Sequence, residues 1–142
     1  MKGILAKLAL AIGAMAMIPI FSSPSPQESA IDDKDIHYTS YEGMNYPPLA
    51  RQTRIEGVVV VRVKIDDHGR VTDATAISGH ELLIQSAIDN AKKWRFETNS
   101  HHGAILVYNF RIAPGLCNSG FFTFQPPNFI TVTGCPMVAT IY

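Results

Sequence analysis

Five histidines, two cysteines and a cluster of aspartates are the side chains in this chain whose spacing invites chemistry. His101 and His102 are adjacent and precede Gly103, which puts them in a loop. Adjacent side chains diverge, so a metal site there needs further donors, for which His68 and Glu97 are the candidates. A solvated loop is the first reading; the alternative is a small metal-binding protein built on His68, His101, His102 and nearby carboxylates. Asp32, Asp33 and Asp35 are hard-cation ligands by type. No turn glycine or distal bidentate glutamate follows them in loop spacing, and solvated surface is the better reading. His80 falls in the first turn of an expected helix, where the dipole disfavours an imidazolium. The HExxH, CxxC, GxGxxG, Walker and GxSxG arrangements are absent. The sequence therefore assigns no catalytic residue, no cofactor and no metal ligand, and reads as a non-enzyme.

Bulk numbers narrow the partners. Lys+Arg and Asp+Glu both number 12 among 142 residues, so no overall field favours nucleic acid or an anionic membrane. Lys2 and Lys7 lead into an apolar run from Leu8 to Phe21, the pattern of a secretory signal. As helix the run spans about 21 Å against roughly 30 Å of hydrocarbon. A cleaved signal is favoured over a retained inner-membrane anchor, and any membrane contact is confined to that segment. Residues 1–30 are thus read as signal peptide or short anchor, and residues 31–45 as a polar linker in which Ile36, Tyr38 and Tyr41 dock one edge.

The elements that position everything else lie between Tyr46 and Ile112. Glu56 to Ile65 alternates, with Val59, Val61, Val63 and Ile65 on one wholly apolar face and Val58, Val60, Arg62 and Lys64 on the other. Asp66 to Arg70 reads as a turn, and Val71 to Ile77 as the returning strand. From Ser78 the period changes to 3.6. Ser78 is the expected N-cap with Glu81 completing a capping box, and Leu83, Ala87, Ala91 and Trp94 form the buried stripe of a helix over Gly79 to Trp94. A short helix starts near Pro47 or Pro48, with Leu49, Thr53 and Tyr46 tucked against the first strand. Ala104 to Ile112 alternates again, and Arg111 is expected opposite Arg62 and Lys64 as a small basic patch.

These pieces in this order resemble the C-terminal domain of the TonB energy-transducer family. The matching residues are Tyr46-Pro47, Glu56-Gly57, the Val59 to Ile65 strand, Gly69 with Val71, Ser78-Gly79, Leu83, Ala87, Ala91, and Trp94 with Phe96. The resemblance covers about Tyr46 to Ile112. It implies an α+β domain, two layers with two helices packed on a three-stranded antiparallel sheet, working in the periplasm. It also implies a protein partner, a TonB-dependent outer-membrane receptor whose short segment pairs with an exposed sheet edge. The chain departs from the family in its apolar run, which lacks a polar residue for a motor partner, and in a linker region from Ser22 to Asn45 that reaches only about 80 Å extended. Direct energy transduction does not follow, and a structural envelope component is the other reading.

Residues 113–142 form a β-rich extension beyond that core. Phe121 to Phe124 and Phe129 to Thr133 flank Gln125-Pro126-Pro127-Asn128, a hairpin centred near Pro126 that pairs Thr123 with Phe129. The same register sets Cys117 opposite Cys135 as a disulfide worth roughly 3 kcal/mol. Val138 to Tyr142 adds a last short strand. The binding site is expected at an open edge on Ala104 to Ile112, with Ala104, Leu106, Tyr108, Asn109 and Arg111 facing an added peptide strand. Two arrangements compete with it: the tail closes that edge, or two copies pair there as a homodimer.

Overall fold

The computed structural model describes residues 33–137. The expected signal or anchor, Asp32 and the strand expected at Val138 to Tyr142 lie outside the described residues. A 3-10 turn at Asp33–Asp35 is followed by β1 (Tyr38–Ser40), α1 (Pro48–Gln52), β2 (Gly57–Ile65), β3 (Val71–Ser78) and α2 (Glu81–Ala91). Then come β4 (Arg95–Phe96), β5 (Gly103–Ile112), β6 (Phe121–Gln125) and β7 (Phe129–Gly134).

β-branched residues fill most of β2, and its alternate side chains Val59, Val61, Val63 and Ile65 are buried. β3 returns antiparallel from a turn that Asp66 organises. Asp66 Oδ1 accepts from the amides of His68 and Arg70, both at 2.9 Å, and Oδ2 from Arg70 Nε at 3.0 Å. These bonds, led by the Arg70 amide, hold the Asp66 carboxyl below its usual value. Gly69 adopts φ 76°, and a Cβ there would collide with the Phe96 carbonyl. Only glycine meets both conditions.

α2 lays Leu83, Ala87 and Ala91 on the sheet, and Trp94 follows it into the core. It starts later than the capping pattern suggests. Ser78 is still paired with Val60 as the last residue of β3, so His80 becomes the N-cap, its Nδ1 accepting from the Leu82 amide at 3.2 Å. In α1 the buried residue is Ala50, while Leu49 is 55% exposed, because the helix meets the core through its small side.

The sheet is where sequence and structure differ most. The three antiparallel strands are present as β3, β2 and β5, but they are part of a mixed five-stranded sheet in the order β3-β2-β5-β7-β6. β7 runs parallel to β5, from Val107 opposite Phe129 to Ile112 opposite Gly134, and β6 pairs antiparallel with β7. The tail is long enough and apolar enough to extend the sheet instead of standing apart from it. Its turn takes Pro126, Pro127 and Asn128, so Gln125 faces Phe129 and Thr123 faces Thr131, two residues along from the expected register. An even shift leaves every side chain on its expected face. Ile130 and Val132 therefore join Ala104, Leu106, Tyr108 and Phe110 in one core with the helices.

Candidate functional site

The histidines do not assemble a site. His101 Nε2 lies 3.7 Å from Asp35 Oδ2, whereas His102 Nδ1 lies 3.8 Å from Asp67 Oδ1. Asp35 belongs to the N-terminal turn and Asp67 to the β2–β3 turn, so the two rings serve different contacts, and the Glu97 amide donates to the His37 carbonyl at 2.7 Å. Among the described residues no group of three His, Cys, Asp or Glu side chains converges as metal ligands would. The basic patch does not form either. Antiparallel register sets Arg62 opposite Ile105 and Lys64 opposite Gly103. Arg111 is at the other end of the ladder, roughly 20 Å away along the strands.

The expected open edge is closed from Val107 to Ile112. β5 is paired with β2 on one side and with β7 on the other. Ala104, Leu106 and Tyr108 are fully buried beneath α2, Asn109 is half-buried on the opposite face, and Arg111 is exposed at the strand end. Tyr108, Asn109 and Arg111 lie in the stretch where the tail supplies its own strand, whereas Ala104 and Leu106 precede it, since the ladder with β7 begins at Val107. This is the competing arrangement in which Phe129 to Thr133 fills the position.

Several contacts hold β7 in that slot. The segment leaving β5 must pass over the end of β7 to reach β6. It passes closely, since a Cβ on Gly120 would stand 2.6 Å from the Thr133 carbonyl. Cys117, in this segment, is bonded to Cys135, just beyond β7, with Cα atoms 5.4 Å apart. The Ala113 amide donates to the Gly134 carbonyl at 2.9 Å, and the Ile112 amide to Glu56 Oε1 at 2.5 Å. Gly134 lies under the Tyr46 ring, whose Cγ would be 2.8 Å from an added Cβ. Tyr46 stands edge-on to Phe110 at 5.6 Å and donates its hydroxyl to the Ile55 carbonyl. Burial first, and then the Glu56 charge, push its pKa up to about 12.

A second tie fastens the arm at residues 33–45 to the same core. Asn90 is 3% exposed, and its Oδ1 accepts from Trp94 Nε1 at 3.0 Å and from the Tyr108 hydroxyl at 2.9 Å. Its Nδ2 donates to the carbonyls of Glu42, at 3.0 Å, and Gly43, at 3.3 Å. Burial raises the Tyr108 pKa well above that of a free phenol. Tyr38 and Tyr41 pack on Phe124 with centroids 4.7 and 4.8 Å away, and Trp94 meets the same ring at 5.1 Å. Arm, helix and tail thus share one aromatic cluster. Sequence reading missed Asn90; the available signal was a polar residue beside the stripe, four positions before Trp94.

Two strands remain outermost. β6 has five residues and ends at Pro126, while Tyr41 and Gly43 of the arm lie against its Phe122. β3 is longer, at eight residues, and Thr72, Asp73, Thr75 and Ile77 along it are exposed. Among the described residues β3 pairs only with β2, leaving a row of backbone groups for a further strand. No helix among the described residues is long and apolar enough to cross a membrane.

Comparison with known proteins agrees with the β2 to β5 core. Residues 42–112 match the family described as Gram-negative bacterial TonB protein C-terminal. Protein TonB of Xanthomonas campestris pv. campestris (strain B100) is 32% identical over 71 residues, which is 49% of this chain and 32% of that protein. Protein TonB of Vibrio cholerae serotype O1 is 32% identical over 69 residues, 47% of this chain and 28% of that protein. The chain thus matches about a third of the length of these relatives. β6 and β7 lie beyond the matched segment. With the family core spanning half of the sequence, the chain belongs to the TonB C-terminal domain family, a family of non-enzymatic adaptors.

Proposed function

We propose that this protein is a non-enzymatic, protein-binding module of the periplasm that couples to an outer-membrane receptor by strand addition at β3. Family membership supports the partner class, and the outer side of β3, unpaired among the described residues, is the observation that carries the mode. β-addition takes affinity from backbone hydrogen bonds and selectivity from alternate side chains. Along β3 those side chains include Asp73, Thr75 and Ile77, which offer one charged, one hydroxyl and one apolar contact. The occupied β5 edge supports β3 over the strand expected from sequence alone.

Site-specific photocrosslinking in intact cells tests this reading. A benzophenone side chain placed at Thr72, Thr75 or Ile77 is expected to give receptor adducts, with alternating strength along the strand. Receptor adducts absent from all three positions, or appearing only from β6 positions, would refute it. Adducts joining two copies of this chain would replace the receptor by a homodimer.

A further inference from the structure

We propose that the Cys117–Cys135 disulfide is a latch on β5: closed, it holds β7 in the sheet, and opened by a dithiol reductant it lets the β6–β7 hairpin leave, so that β5 accepts an extended peptide running parallel to it. This goes beyond the β3 reading and stands independently of it.

Topology carries the argument. β7 is the last strand in the described chain, yet it occupies an interior position between β5 and β6. No described element follows β7, so among the described residues it can withdraw without unthreading another. β6 would go with it, since β7 is its neighbour in the sheet. The family core β3-β2-β5 keeps its own pairings and α2 when the hairpin leaves. Among the described residues two covalent links restrain β7: its turn to β6, and the disulfide, which ties its far end to a segment only a few residues beyond β5. Opening the second frees that end of β7.

Reduction can start from solvent. Cys135 is 8% exposed, whereas Cys117 is only half-buried in the connecting segment. A thiolate of the reductant attacks the Cys117 sulfur and expels Cys135 as thiolate. The reductant's second thiol then resolves the mixed disulfide, so two electrons and two protons pass to the cysteines and the reductant leaves as its own disulfide.

The strand now in the slot defines what else fits it. Ile130 and Val132 are buried at alternate positions, and Gly134 comes next on that face, where the Tyr46 ring leaves no room for a Cβ. The ligand class is an extended peptide with two branched aliphatic residues at alternate positions and a glycine two residues on.

Hydrogen exchange on the purified protein, with and without dithiothreitol, tests the latch. Mass spectrometry confirms the redox state, and a Cys117→Ser/Cys135→Ser variant reproduces the open state without reagent. Exchange in the β7-paired stretch Val107–Ile112 should rise on the order of 100-fold on reduction, the scale of the constraint such a loop places on an open chain. Val59 to Val63 should change far less. The synthetic peptide NFITVTG should bind the reduced protein and not the oxidised one. Unchanged protection of β5 after complete reduction overturns the proposal, as does equal acceleration in β2, or peptide binding that ignores redox state. Should the double variant fail to fold, the reduced natural protein decides the matter alone.

Discussion

Asn90→Leu is the sharpest test of how the arm, helix and sheet are joined. The substitution keeps the approximate side-chain volume but removes the one oxygen that serves both Trp94 Nε1 and the Tyr108 hydroxyl. Both rings are fully buried, so water cannot easily replace that acceptor. Each orphaned buried donor costs about 1–3 kcal/mol. The Glu42 and Gly43 carbonyls also lose their donor, but both residues are exposed and water can serve them. The expected loss is therefore about 2–6 kcal/mol, a large share of the roughly 5–15 kcal/mol typical of a domain. Urea denaturation followed by tryptophan fluorescence measures it directly, since Trp94 is the only tryptophan. Repeating the substitution in a Tyr108→Phe background removes one donor in advance, and should lower its cost by about 1 kcal/mol or more. A loss below about 0.5 kcal/mol, or no coupling between the two positions, would show that the network does not contribute as argued.

Other expectations follow from single contacts. Tyr46 has a folded pKa raised from 10.0 to about 12, so the unfolded chain gives up this proton at lower pH; the contribution to stability is complete below about pH 10 and is lost as pH rises through about 12. Urea midpoints taken across that range should fall more steeply for the natural protein than for Tyr46→Phe. Asp66 has the opposite sign: its depressed carboxyl supplies stability above the ordinary carboxylate range that disappears as pH falls through the folded value. Asp66→Asn should flatten the acid limb of the same titration. Gly134→Ala drives a methyl against the Tyr46 ring and should cost about 1–3 kcal/mol, read as a lower melting temperature in the oxidised protein.

Local patterns in the chain predict elements well where one force dominates. The alternation of Val59 to Ile65 and the stripe of Leu83, Ala87 and Ala91 identify strand and helix, because each element is driven chiefly by burying one apolar face. The cap expected at Ser78 is displaced because a ladder pairing with Val60 competes with capping, and the sequence does not rank the two. The closure of β5 is visible in the sequence only as one of two competing arrangements. Phe129 to Thr133 has the pattern of a strand, but nothing local says which neighbour it takes or in which direction. The parallel register is set by where Ile130, Val132 and Gly134 fit against Phe110 and Tyr46, and that is a tertiary fact. Asn90 stays hidden for the same reason: its four partners come from the arm, the segment just after its own helix, and β5.

The interior position of β7, the last described strand, also bears on how the molecule comes to be assembled. A chain emerging from its N-terminus completes β2, β3, α2 and β5 before β7 exists. During that interval β5 presents an unsatisfied edge, the kind of surface that recruits other nascent chains. β7 reaches β5 across a loop of only about 22 residues, and short loops close at low entropic cost. Once β7 pairs, the tail covers Val107 to Ile112 of β5 with a strand carried on the same chain.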